Sequence, residues 1–168
     1  MVQSIYEVFA EEEELVRIGV LSDTHLQRTS PELSRLVVDG PFADVDMIFH
    51  AGDIVRMDVL DALAPKEVMA VRGNMDDGGV AARLPEKRVI QVEGFSIALV
   101  HGWGSRVGLE QRIRETFTGV DAICYGHSHA TANHVVAGVL LFNPGSFYNQ
   151  TVGILTVDQS IRGEIINL

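Results

Sequence analysis

Five short polar segments carry the residue types that hold divalent metal ions: Asp23-Thr24-His25, Gly52-Asp53, Gly73-Asn74-Met75-Asp76, His101-Gly102 and Gly126-His127-Ser128-His129. Carboxylates, an amide and imidazoles, with no thiolate among them, suit manganese, iron, zinc, cobalt or nickel rather than a structural cysteine–zinc site. Ions held this way activate water, so the chemistry within reach is metal-assisted hydrolysis. Each segment alone is a common loop or turn; the five together, with four of the six histidines among them, form a set. In an extended segment residues i and i+2 point to one side, which would let Asp23 and His25 grip one ion. A glycine before a ligand would let the backbone turn tightly and approach it.

Each segment follows an apolar run that reads as a strand. Val16 to Ser22, Val45 to Phe49 and Glu67 to Val71 alternate with helix-like stretches opening at Ser30-Pro31-Glu32 and spanning Met57 to Leu63. This β-α-β-α-β order predicts a parallel sheet with helices packed on it. Arg88 to Val92 and Phe95 to Val100, joined by Glu93-Gly94, read as a hairpin, followed by a helix over Leu109 to Phe117 and a strand over Asp121 to Cys124. From Val135 the chain reads as short strands broken by Gly138, Pro144-Gly145, Gly153 and Gly163. The strand ends of open α/β sheets are where ligands bind, so the five segments could meet at one point.

Length and composition allow one globular domain: 168 residues, 46% of them hydrophobic. No apolar run is long enough to span a bilayer. Lys and Arg number 13 against 23 Asp and Glu, a net charge of −10. With no basic stripe, stable binding to nucleic acid or to an anionic membrane is not expected. The first residues lack the basic and apolar regions of a secretory signal and Cys124 is the one cysteine, so the expected setting is the cytoplasm and Cys124 reads as a buried hydrophobe. Met1 to Glu14, with the block Glu11-Glu12-Glu13-Glu14, reads as an N-terminal acidic extension to a domain over residues 15–168.

The ordered series Asp-x-His, Gly-Asp, Gly-Asn, His-Gly, Gly-His-x-His resembles the calcineurin-like metallophosphoesterases. Leu21-Ser22-Asp23-Thr24-His25, Arg72-Gly73-Asn74-Met75-Asp76 and Asn143-Pro144-Gly145-Ser146 look like the compact YfcE-type phosphodiesterase branch, whose non-catalytic relative is the retromer scaffold subunit. The resemblance implies an α/β fold, a four-layer α-β-β-α sandwich of two mixed sheets with helices outside and a metal site at strand carboxyl ends. It implies two divalent metal ions, manganese first, with zinc, iron, nickel or cobalt as substitutes. One ion would lie between Asp23, His25, Asp53 and His129, the other between Asp53, Asn74, His101 and His127, with Asp53 bridging. The implied activity is phosphoester hydrolysis, a phosphodiesterase first, on a small phosphoester substrate by attack of a metal-bridging hydroxide. Asp53 and Asn74 would be catalytic as well as ligating. A scaffold, or a module binding metal and nucleotide without turnover, is the alternative, and a homo-oligomer is the assembly suggested by analogy.

Two positions depart from the family pattern. Many of its phosphatases have a histidine after the metal-binding asparagine, placed to protonate the leaving oxygen; here Met75 stands there, and a thioether is no general acid. Asp76 would either substitute as a catalytic acid through water or clamp the turn. The second is Trp103, where relatives often carry histidine: an indole to stack on an aryl group or nucleobase, or a packing residue. Arg56 and Arg72 would steady a phosphate or sit in surface ion pairs, and His50 fits a partner behind the ligands.

Overall fold

In the computed structural model, which describes residues 15–168, the apolar runs form strands whose alternate residues serve two different cores. Along β1 (Val16–Leu21), Ile18 and Val20 face one core and Leu21 the other. Along β2 (Met47–His50) and β3 (Glu67–Ala70) the same period of two separates Phe49 from Ile48, and Met69 from Ala70. Strands covered on both faces need apolar residues at every position, which is why these runs are nearly continuous. The remaining strands are β4 (Lys87–Val92), β5 (Phe95–Val100), β6 (Ala122–Tyr125), β7 (Thr131–Val136), β8 (Val139–Pro144), β9 (Thr151–Val157) and β10 (Ile161–Asn167). They build two five-stranded mixed sheets, ordered β10-β9-β1-β2-β3 and β4-β5-β6-β8-β7.

The sheets pack face to face through Ile18, Val20, Phe49, Leu99, Cys124 and Phe142. Helix α1 (Pro31–Val38), a 3-10 segment (Met57–Leu63) and α2 (Gly78–Arg83) cover the outer face of the first sheet through Leu33, Leu36, Val59, Leu63 and Val80. Helix α3 (Leu109–Arg114) covers the second through Leu109 and Ile113 against Val100 and Ile123. The molecule is therefore the expected four-layer α-β-β-α sandwich. No helix among the described residues is long and apolar enough to cross a membrane.

Several local expectations need correction. The stretch at Met57–Leu63 winds as a 3-10 helix, and the helix expected to reach Phe117 ends at Arg114. Helix α2 escapes sequence reading because it opens on Gly78-Gly79; its start comes from Asp77, whose side chain accepts a hydrogen bond from Val80 N at 2.9 Å. Gly153 and Gly163 do not break strands but lie inside β9 and β10. Their role is steric: a Cβ there would meet the Phe142 ring at 2.4 Å and 2.5 Å, so the missing side chains make the seat on which that ring crosses between the sheets. The Glu93-Gly94 hairpin forms as expected, with φ of 45° and 80° matching a two-residue turn of the right twist. The expected extension over residues 1–14 lies outside the described residues.

Phe142 is fully buried at the join of both sheets. Its replacement by alanine should cost about 3–5 kcal/mol of unfolding free energy, read from urea titration by circular dichroism. A loss below about 1 kcal/mol would show that the ring does not carry the packing between the sheets.

Candidate metal centre

Strands β1, β2 and β3 run parallel, as do β5 and β6, and the loops after all five converge. They carry Asp23 and His25, Asp53, Asn74, His101, and His127 and His129, so all seven residues expected as ligands meet at one place. Two overlapping groups have ligand atoms close enough to share an ion: Asp23, His25 and His129, and Asp23, Asp53 and His101.

The carboxylates are buried and each is anchored by one oxygen. Asp23 Oδ2 accepts from Ser22 Oγ at 2.6 Å and His127 N at 3.1 Å. Its other oxygen, Oδ1, is buried without a hydrogen-bond partner, 3.1 Å from His129 Nε2 and 3.7 Å from His25 Nε2. Asp53 Oδ1 accepts from Met75 N at 2.8 Å, and Oδ2 lies 3.3 Å from His101 Nε2 and 3.8 Å from His25 Nε2. One oxygen of Asp53 thus borders both halves of the cluster.

The imidazoles are aimed by what holds their far nitrogens. His101 Nδ1 donates to the Ala51 carbonyl at 2.7 Å, which turns Nε2 toward Asp53 and Asn74 Oδ1, the latter 3.2 Å away. His127 Nε2 donates to Gly104 O at 2.8 Å and turns Nδ1 toward Asn74 Oδ1 at 3.0 Å. His25 and His129 bring their Nε2 atoms within 3.2 Å of each other beside the unpartnered Asp23 oxygen. Two ring nitrogens and a buried carboxylate oxygen converging without a donor for each is the donor set a cation fits.

The backbone is strained to achieve this. Asp23, His25, Asp53, His127 and His129 have φ of 54°, 51°, 56°, 69° and 59°, in the left-handed region that non-glycine residues avoid. The expectation that Asp23 and His25 converge by extended alternation is therefore corrected: each turns inward on its own left-handed residue. The glycines serve the ligands beside them. A Cβ at Gly73 would fall 2.2 Å from Asp53 Oδ1, and one at Gly126 would fall 1.9 Å from Ser22 Oγ.

Asp53 and His101 shift each other's titration. Burial disfavours the ionised form of Asp53, but the hydrogen bond and charge of His101 and the Met75 amide outweigh it and hold the carboxyl below its ordinary pKa. For His101 burial pulls the pKa down, and Asp53, through hydrogen bond and charge, raises it above the ordinary value. His50 is different: burial, then the charge of His101, lowers its pKa to about 3. It stays neutral, accepts from Gly52 N through Nδ1 at 3.2 Å and donates through Nε2 to Thr24 Oγ1 at 3.2 Å. Thr24 in turn donates to the Asp53 carbonyl at 3.3 Å, so His50 ties the first two ligand loops from behind.

Asp76, read as an acid or a turn clamp, has the geometry of the clamp. Oδ1 accepts from Val55 N and Oδ2 from Gly73 N, both at 2.6 Å, linking the second and third ligand loops. Met75 is more than half exposed and offers only its backbone to the centre. Arg56 lies 3.8 Å from Asp58 and 3.9 Å from Asp77, a loose surface pairing, while Arg72 pairs with Glu86 at 2.5 Å on the wall of a cleft next to Asn74. Burial raises the Cys124 thiol, which removes it as a nucleophile. Ser22, Thr24, Asn143 and Ser146 stand in the motifs, the last two in a turn expected under the site, with no side-chain role read for any of them. All four are fully buried and polar, and Ser146 Oγ donates to the Asp23 carbonyl at 3.1 Å while Asn143 Nδ2 holds Gly126 O at 3.0 Å. Their signal was polarity beside apolar strand ends, which ordinary turns share.

The arrangement matches known proteins. Residues 16–160 match the calcineurin-like phosphoesterase superfamily domain. A "probable metallophosphoesterase" of Methanocaldococcus jannaschii is 38% identical over 135 residues, 77% of this chain and 67% of that protein. Another, of Methanothermobacter thermautotrophicus, is 34% identical over 160 residues, 89% of this chain and 91% of that one. Among solved structures, an archaeal phosphodiesterase superposes with a TM-score of 0.72 at 24% identity, covering 91% of this chain and all of that one. Vacuolar protein sorting 29 from Cryptosporidium parvum does so with a TM-score of 0.71 at 20% identity, over 92% of each chain. Domain match and relatives agree with the convergent aspartates and histidines: the chain belongs to the calcineurin-like phosphoesterase superfamily.

Proposed function

We propose that residues 15–168 form one dinuclear metal-dependent phosphoesterase domain, acting as a phosphodiesterase, with manganese as the first ion to test. The observation that carries this reading is Asp53 Oδ2, set between His25 on one side and His101 on the other, with the partnerless Asp23 Oδ1 nearby. Asp23, His25, Asp53 and His129 would hold one divalent ion, and Asp53, Asn74, His101 and His127 the second. When bound, the ion pair would lower the pKa of water and neutralise charge on phosphoryl oxygens.

The chain's own residues orient and position. Backbone carbonyls of Ala51 and Gly104 each take one ring N–H of His101 and His127, so the other ring nitrogen is aimed at the site, where a metal ion would take the place of any proton on it. Asp76 is a positioning residue that joins two loops by its backbone hydrogen bonds. Neither Met75 nor Asp76 offers a proton to a departing oxygen: one is a thioether, and the other has both oxygens bonded to backbone N–H groups. Substrates whose leaving group departs as a stable anion, such as aryl phosphodiesters, fit this lack. A non-enzymatic scaffold on the same fold is the rival, and the seven convergent side chains favour the enzyme.

The first test is steady-state hydrolysis of bis(p-nitrophenyl) phosphate with added Mn²⁺. Metal-dependent turnover is expected, and its absence with every divalent ion named above would overturn the enzymatic reading. Elemental analysis of purified variants checks the bridge. Asp53→Ala should retain less metal than Asn74→Ala because one carboxylate serves both ions, and equal content would argue against sharing. Replacing Met75 by histidine should raise alkyl phosphoester turnover relative to aryl turnover by a fewfold, because only the alkoxide needs a proton as it leaves. An unchanged ratio at constant metal content would show that position 75 is not the missing acid.

A further inference from the structure

Beside the Asn74 and His101 side of the centre opens a cleft of about 400 Å³, lined by Arg72, Lys87, Val100, His101, Trp103 and Thr116 among others. The sheet strands build its floor, but Trp103 comes from a loop, and that loop is held on two sides. Arg112 of α3 donates to the Trp103 carbonyl at 2.9 Å and the Val107 carbonyl at 2.9 Å, and also to Ser105 O. The next residue, Gly104, receives the His127 Nε2 hydrogen bond at 2.8 Å. Trp103 is therefore positioned relative to the candidate centre through one of its own expected ligands. Even so, its side chain stays exposed, at 46% of its surface, so packing does not account for an indole here.

We infer that this cleft receives an aromatic group that stays on the substrate's phosphate, stacked on Trp103, so that the protein acts on phosphodiesters that carry a group of nucleoside size beside a good leaving group. This rests on the phosphoesterase reading above. A planar apolar surface that stays wet in the free protein gains most from a planar partner that covers it, and stacking on indole tolerates any base or aryl ring. The cleft's volume is at the lower end of small-molecule sites, which run from about 300 to 1,000 Å³, and suits one ring system with its sugar rather than a polymer. Arg72 and Lys87 against Glu86 leave the lining with an excess of positive charge, which favours a ligand that brings a phosphate. Arg72 is fixed by Glu86 and by the Ala81 carbonyl at 3.2 Å, so its guanidinium is a wall of the cleft more than a mobile arm.

Trp103 is the one tryptophan of the chain, which makes the test direct. Indole fluorescence of the full-length protein, with and without added divalent ion, is titrated with adenosine 5′-monophosphate and with ribose 5-phosphate. Saturable quenching by the nucleotide and none by the sugar phosphate is expected, and it supports the cleft whether or not hydrolysis is seen. No quenching, or equal responses to both, overturns it even if the protein proves an active phosphoesterase. In kinetics, Trp103→Leu should lower kcat/KM for a phenyl phosphodiester relative to a methyl one about tenfold, with the loss in KM. Trp103→Phe, which keeps a ring, should restore most of that ratio; if Leu and Phe behave alike, the indole is not a stacking platform.

Discussion

A carboxylate taken out of water at the ends of two apolar sheets must be compensated, and the compensation of Asp53 organises most of the centre. One oxygen is tied to the Met75 amide, and the other is left to His101 and His25. For the Met75 amide to reach it, the third ligand loop must pass so close that only glycine fits at position 73. For that loop to stay there, Asp76 bonds back to Gly73 and across to Val55, which itself sits at a φ of 77° that a β-branched residue rarely adopts. Charge, close approach and strain are one problem solved by three loops together.

Rigid orientation of the imidazoles follows from the same frame. His101 and His127 each donate a hydrogen bond to a backbone carbonyl, and His50, kept neutral by burial, holds the Thr24 hydroxyl, which in turn donates to the Asp53 carbonyl. Left-handed residues at five of the seven expected ligand positions would each cost stability in isolation. They persist because three layers of apolar packing, centred on residues such as Phe142 and Leu33, over-determine the strand ends from which the loops leave. The stability of the sandwich is what holds the strain.

Fold alone does not fix activity, since an archaeal phosphodiesterase and a vacuolar protein sorting 29 superpose on this chain with nearly equal TM-scores. The features that bear on chemistry are side chains at one edge: the buried oxygen of Asp23 without a partner, the convergent imidazoles, and the neighbouring cleft with its exposed indole.

By itself the sequence determined the layers and the membership of the centre. Two-sided burial forces continuous apolar strands, the order of strands and helices forces the parallel run of β1, β2 and β3 in the first sheet, and polar residues placed directly after such strands must lie at their ends. What it could not determine was how the ligands reach one another. Extended alternation for Asp23 and His25, strand breaks at Gly153 and Gly163, and the choice of acid or clamp for Asp76 were all local readings, and each was decided by a contact with a distant part of the chain. Nor do the residues around Gly78-Gly79 announce α2, whose start depends on a side-chain cap and whose burial depends on the first sheet. Strand periodicity is written in neighbouring residues because it is a property of the backbone. The left-handed turns, the glycine seats and the tautomers of His101 and His127 were decided only in the tertiary structure, because they answer to atoms that the chain brings together from remote positions.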